Sequence, residues 1–276
     1  MSDMDTTQGH GEEQKKQDAK NSEELEEILK GLSETESPES QESLSLLQRI
    51  VGVFTNPGRV FAYLRTRPDF LIPLIIAVLM SIFSSYMVYD IALDDSIQKI
   101  EQSEKFSDEQ KERIIDQTES RRYGTWRTVS IVGFPLVGVV LIIVLVTLVF
   151  WFVGNVVLGG KVTFKQLLSV YCYSWLIYSI PGSLVSVWLI IKYETLKIPI
   201  SLAALLPENM EGTGLYRFME SIDPFTIWFL IVLGIGFATV YQFSRKKGLM
   251  TVFSVWLLYV LLFKVALGAF FSQFGG

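Results

Sequence analysis

Few side chains in this chain combine a reactive type with a telling position. Lys264 is the one charged residue set within a long apolar stretch. An ammonium held there is costly unless it pairs with a carboxylate or reaches the headgroups along its own stem. The first arrangement would make Lys264 part of a proton, ion or anionic-ligand site. The second makes it an anchor, which is the better reading, because no apolar stretch carries an internal Asp or Glu. Pro181-Gly182-Ser183 divides a second stretch, where it kinks the helix and allows close packing. Such a kink can also open a ligand cavity. Tyr171, Tyr173, Trp175 and Tyr178 precede it, a grouping expected at a membrane–water interface. Asn155 lies near the end of a third stretch and is expected to bond a neighbouring helix or backbone group. Asp223 directly before Pro224 reads as a helix cap with proline in the first turn.

Other chemistry is excluded by composition. The chain holds one histidine, His10, and one cysteine, Cys172. A histidine-based zinc site or a Ser-His protease within the membrane body is therefore ruled out. No intramolecular disulfide can form. Gly159-Gly160-Lys161 is a tight turn, since it lacks the longer glycine-rich loop and the Ser or Thr that a phosphate loop needs. No catalytic residue, metal site or cofactor is expected. An enzyme would need several polar groups at one depth, and the apolar stretches offer too few.

The elements that must position these residues are five apolar stretches, about 71–89, 129–158, 167–191, 224–244 and 248–271. A helix needs about 20 apolar residues to cross a bilayer. The expected fold is all-α: a polytopic membrane protein with five transmembrane helices, preceded by an interfacial helix and a disordered acidic amino-terminal tail. The tail spans 1–45 and the membrane domain 46–276. The tail holds 13 acidic and 4 basic side chains, and the rest of the chain is net positive by four. The tail lacks aromatic residues and cannot offset chain entropy by apolar burial. Its charge opposes lipid and nucleic acid. Within it, Leu25, Ile28, Leu29 and Leu32 share helical spacing, either as a transient helix or as a docking motif for a protein partner. The tail has no apolar core of signal-peptide length, so the first span is expected to direct insertion.

Between tail and first span lie Leu46 to Phe54 and then Asn56-Pro57-Gly58, a break that restarts a helix with Asn56 as cap. Val60, Phe61 and Leu64 line one face of the second piece, and Arg59, Arg65 and Arg67 supply cations for lipid headgroups. This pair is expected to lie on the membrane surface. Packing against the ends of the bundle is the alternative. The connection 90–128 is expected to form two short helices outside the bilayer, the second opened by a capping box from Ser107 to Gln110.

Basic residues set the topology. Arg49, Arg59, Arg65 and Arg67 precede the first span, Lys161 and Lys165 join the second to the third, and Arg245, Lys246 and Lys247 join the fourth to the fifth. By alternation these share one side, which places the amino terminus in the cytoplasm and the carboxyl terminus outside. The connection 90–128 also holds seven basic residues, outnumbered by acids. An odd number of spans argues against an inverted-repeat transporter.

Four phrases carry a resemblance: Phe54-Thr55-Asn56-Pro57-Gly58-Arg59-Val60-Phe61, Leu158-Gly159-Gly160-Lys161-Val162-Thr163-Phe164-Lys165, Ser201-Leu202-Ala203-Ala204-Leu205-Leu206-Pro207 and Ile222-Asp223-Pro224-Phe225-Thr226-Ile227-Trp228. Their order resembles prokaryotic members of the Yip-one (Ypt-interacting protein) domain family over about 47–271. The resemblance implies a five-span protein of the prokaryotic cytoplasmic membrane. Eukaryotic relatives are linked to Rab-type GTPases and vesicle traffic through their cytoplasmic amino-terminal regions. The tail here has no clear counterpart of those regions, and the family supplies no catalytic residue. The expected function is a non-enzymatic scaffold or adaptor that binds protein or organises lipid. The alternative is a small-solute or ion transporter or channel, a homo-oligomer using the Pro181 kink and Lys264, with Asn155 in its pathway or packing.

Overall fold

The computed structural model describes residues 43–196 and 200–267. The tail motif at Leu25, Ile28, Leu29 and Leu32 lies outside them, as does the end of the fifth span. Every regular element among the described residues is helical. Helix α1 (Leu46–Thr55) starts at Ser45, whose hydroxyl caps Gln48 while the Gln48 side chain returns the bond. Asn56 ends α1 and opens α2 (Pro57–Thr66), with proline at its first position. Both caps satisfy backbone groups that a helix terminus leaves unpaired.

The five apolar stretches form five helices long enough to cross a membrane: α3 (Leu71–Glu101), α5 (Thr125–Val157), α6 (Phe164–Tyr193), α8 (Pro224–Tyr241) and α9 (Arg245–Ala266). Between them lie α4 (Asp108–Ser120) and the short α7 (Gly214–Glu220). The Ser107–Gln110 capping box and the Asp223 cap both form as the sequence implies. The first outer helix of connection 90–128 is the unbroken continuation of α3 to Glu101. Arg127 clamps it to the start of α5 through Asp90 at 2.8 Å, and Arg122, in the turn between α4 and α5, holds Asp94 at 2.5 Å.

Helix α8 is the centre of the bundle. Its most apolar window is 61% buried, against 11% for α9 and 17% for each of α3 and α5. Two glycines explain its position. Two residues turn a helix by about 200°, so Gly234 and Gly236 face different neighbours. Gly234 admits Leu249 of α9, and Gly236 admits Val170 of α6 together with Phe61 of α2. Lipid tails are as apolar as leucine, so spans are held by such close packing rather than by escape from water.

In the pair before the first span, one face of α2 takes the alternative arrangement, while Leu47 and Val51 of α1 stay exposed. Val60, Phe61 and Leu64 are fully buried, and α2 packs on α8 and α6. Protein rather than headgroups covers that face. The aromatic cluster in α6 also departs from expectation. Tyr171 and Tyr173 are core residues, and Tyr171 stacks on Trp175 with ring centres 5.8 Å apart. Trp188 and Tyr193, farther along α6, are the exposed rings, and the Lys192 ammonium lies against both.

Candidate functional site

The bundle has two chemically distinct ends. At the basic end, three segments far apart in the chain meet. The turn after α5 is pinned by Asn155: its side chain donates to the Val162 carbonyl at 2.8 Å and accepts from the Val162 amide at 3.0 Å. Trp151 donates to the same carbonyl at 2.9 Å. Asn155 thus bonds backbone, one of its two expected partners, and lies in the π-helical turn that closes the span. Gly154 and Gly160 leave room for the Tyr241 ring, and a side chain on either would run into it. Gln166 donates to the Arg65 carbonyl at 2.6 Å, which ties this turn to the end of α2. The Arg245 guanidinium approaches the α2 backbone beside Gly58.

The result is a cluster of cations. Arg49, Arg59, Arg65, Arg67, Lys161, Lys165, Arg245, Lys246 and Lys247 belong to these segments, and Asp69 is their one carboxylate. Asp69, which no sequence motif singles out, follows Pro68 just before the first span. It pairs with Arg49 at 2.7 Å and accepts a long hydrogen bond from Tyr173 at 3.5 Å. Arg49 and Arg67 both lie against the Tyr63 ring, at 5.5 and 5.8 Å from its centre. Arg59 and Arg67 are exposed and Arg65 is half-buried. Because α2 is rooted by Phe61, these three cations project from a fixed base.

At the opposite, loop end lies a cavity of about 960 Å³ that is open to the surface. Tyr178, Gly182 and Ser186 of α6 form one wall; Ser201, Ala203 and Leu206, Glu211 and Tyr216, and Asp223 and Phe225 form the others. Pro181 lies in a π-helical turn, Tyr178–Gly182, so the helix break borders the cavity directly. Tyr178 is hydrogen-bonded to Thr226, and Thr226 donates to Asp223. Asp223 also accepts from the Phe225 and Thr226 amides at 2.8 and 3.0 Å. Burial raises the Tyr216 phenol above its ordinary value, and Glu211 and Glu220 add to the rise. Lys264 is half-buried in the last turns of α9, whose Val265 packs on Gly214 at the start of α7. It does not line the cavity. No sequence signal joined Tyr178 to Thr226, which lie 48 residues apart.

A family model described as the Yip1 domain matches residues 51–267. The chain belongs to the Yip1 domain family. No curated protein and no solved structure matches it. The Yip1 domain as matched takes in all five spans, from within α1 to the last described residue of the chain, just past α9. The resemblance read from four phrases is thereby borne out. In this Yip1 protein the first two phrases build the basic end, and the other two supply cavity residues Ser201, Ala203, Ala204, Leu206, Asp223 and Phe225.

Proposed function

We propose that this Yip1-family membrane protein is a non-enzymatic scaffold or adaptor in the cytoplasmic membrane of a prokaryote. Its basic end faces the cytoplasm and engages anionic headgroups, with Arg59, Arg65 and Arg67 as the principal contacts. We assign the contact with a protein partner to the amino-terminal segment, through Leu25, Ile28, Leu29 and Leu32. The observation that supports this reading is the convergence of nine cations and a single carboxylate at one end. Each Lys or Arg beside an anionic surface contributes about 1 kcal/mol, and basic connections are retained on the cytoplasmic side.

The test is lipid selection. The full chain is placed in nanodiscs of mixed phosphatidylglycerol and phosphatidylcholine, and the lipid that stays with it is counted by native mass spectrometry. Phosphatidylglycerol should be enriched severalfold, and Arg59→Gln with Arg65→Gln and Arg67→Gln should remove most of that enrichment. Equal retention of both lipids by the unaltered protein would sink the headgroup reading. A second reading, a small-solute or ion transporter acting as a homo-oligomer, draws on the cavity beside Pro181. A specific solute flux in proteoliposomes would favour it.

A further inference from the structure

The cavity at the loop end has a chemistry that the scaffold reading does not use. We propose that it binds the ammonium group of an organic cation, held by carboxylates and aromatic faces. Small-molecule sites enclose about 300–1,000 Å³, and this cavity of about 960 Å³ is at the upper end of that range. Its wall carries three aromatic rings, Tyr178, Tyr216 and Phe225, and three carboxylates, Glu211, Glu220 and Asp223. Aromatic faces attract ammonium groups through the ring quadrupole, more strongly where water is displaced.

Among the described residues the one cation on the wall is Lys99, which pairs with Asp95 at 2.5 Å. Asp223 is engaged by backbone and hydroxyl donors but receives no cation among the described residues, so its charge still acts on the cavity. An anion is opposed by these groups. A metal ion fits poorly: no three His, Cys, Asp or Glu side chains among the described residues converge closely enough to hold one. The carboxylates are spread around a space far larger than an ion, as an organic cation requires.

The source of the ammonium is left to experiment, because the cavity adjoins the part of α6 whose exposed Trp188 and Tyr193 suit the headgroup layer. An ethanolamine lipid headgroup and a free amine present the same group there. This inference stands independently of the lipid contacts at the basic end.

Choline is titrated calorimetrically against the full chain in phosphatidylglycerol nanodiscs, with 3,3-dimethylbutanol as its uncharged isostere. Saturable choline binding is expected, with none for the isostere at the same concentrations. Glu211→Gln with Glu220→Gln, both at exposed positions, should weaken binding at least tenfold. Tyr216→Leu should weaken it severalfold, whereas Tyr216→Phe, which keeps the ring, should stay within about twofold of the unaltered protein. Absence of saturable binding, equal binding of the isostere, or full affinity in the double glutamine variant would overturn the proposal. Phosphatidylethanolamine added to the discs separates the sources. Loss of choline binding identifies the lipid headgroup, and unchanged binding identifies a free amine, with the ammonium chemistry supported in both cases.

Discussion

The two ends of this bundle are made of the same material, polar connections between apolar helices, yet they are built in opposite ways. The basic end has short connections pinned from within: Asn155 and Trp151 hold Val162, Gln166 holds Arg65, and the Tyr241 ring fills the space that Gly154 and Gly160 leave. Most of its cations are exposed on a packed base, and Arg49 is held inside it by Asp69. The loop end has long connections held by surface ion pairs and short helical turns, and these surround a space instead of filling it. The contrast separates two ways of presenting charge. The tightly packed end carries its exposed cations on a filled base, whereas the open end lines a cavity with carboxylates.

Substitutions at matched places break or sharpen this contrast. The largest effect is expected from Gly248→Leu near the basic end. A Cβ on Gly248 would come within 2.6 Å of the Gly234 carbonyl oxygen and 2.5 Å of the Ala238 side chain. Overpacking typically costs about 1–3 kcal/mol, and here the new side chain meets backbone that cannot give way, so the variant should lose its single symmetric peak in detergent gel filtration. A normal profile would show that α8 and α9 can separate without harm. An intermediate effect is expected from Asp69→Asn, which leaves the Arg49 guanidinium, 14% exposed, without its ion-pair partner. The loss should be about 1–3 kcal/mol, less than for a fully buried pair, read as a lower midpoint of thermal unfolding in detergent. The smallest is expected from Asp90→Asn at the loop end. Its carboxylate is half exposed, and exposed ion pairs contribute about 0–1 kcal/mol, so the midpoint should barely move. A larger shift for Asp90→Asn than for Asp69→Asn would reverse the assignment of which end is the rigid one.

Local features are legible in the order of residues alone. The caps at Asn56, Ser107 and Asp223 are, because a cap is a matter of residue type one to three positions from the backbone groups it satisfies. The basic residues of the three connections are also legible as a set, from alternation of the spans. Packing is not. Val60, Phe61 and Leu64 have the spacing of a face that could rest on headgroups or on protein, and only their burial against α8 and α6 decides between the two. Tyr171 and Tyr173 have the composition of an interfacial belt and the position of a core. Arg49 and Asp69 are 20 residues apart, and their pairing has no local signature.

Within a bilayer every backbone polar group must be satisfied inside its own segment, so span number and extent are properties of short stretches of chain. These the sequence determined by itself, together with the caps and the asymmetry of charge. The spans are apolar nearly all round, so no polar stripe marks which face meets lipid and which meets protein. The choice of α8 as the centre, the burial of α2, the meeting of Tyr178 with Thr226 and the cavity beside them were decided only by the tertiary structure, through the shapes of glycines and rings brought together from distant parts of the chain.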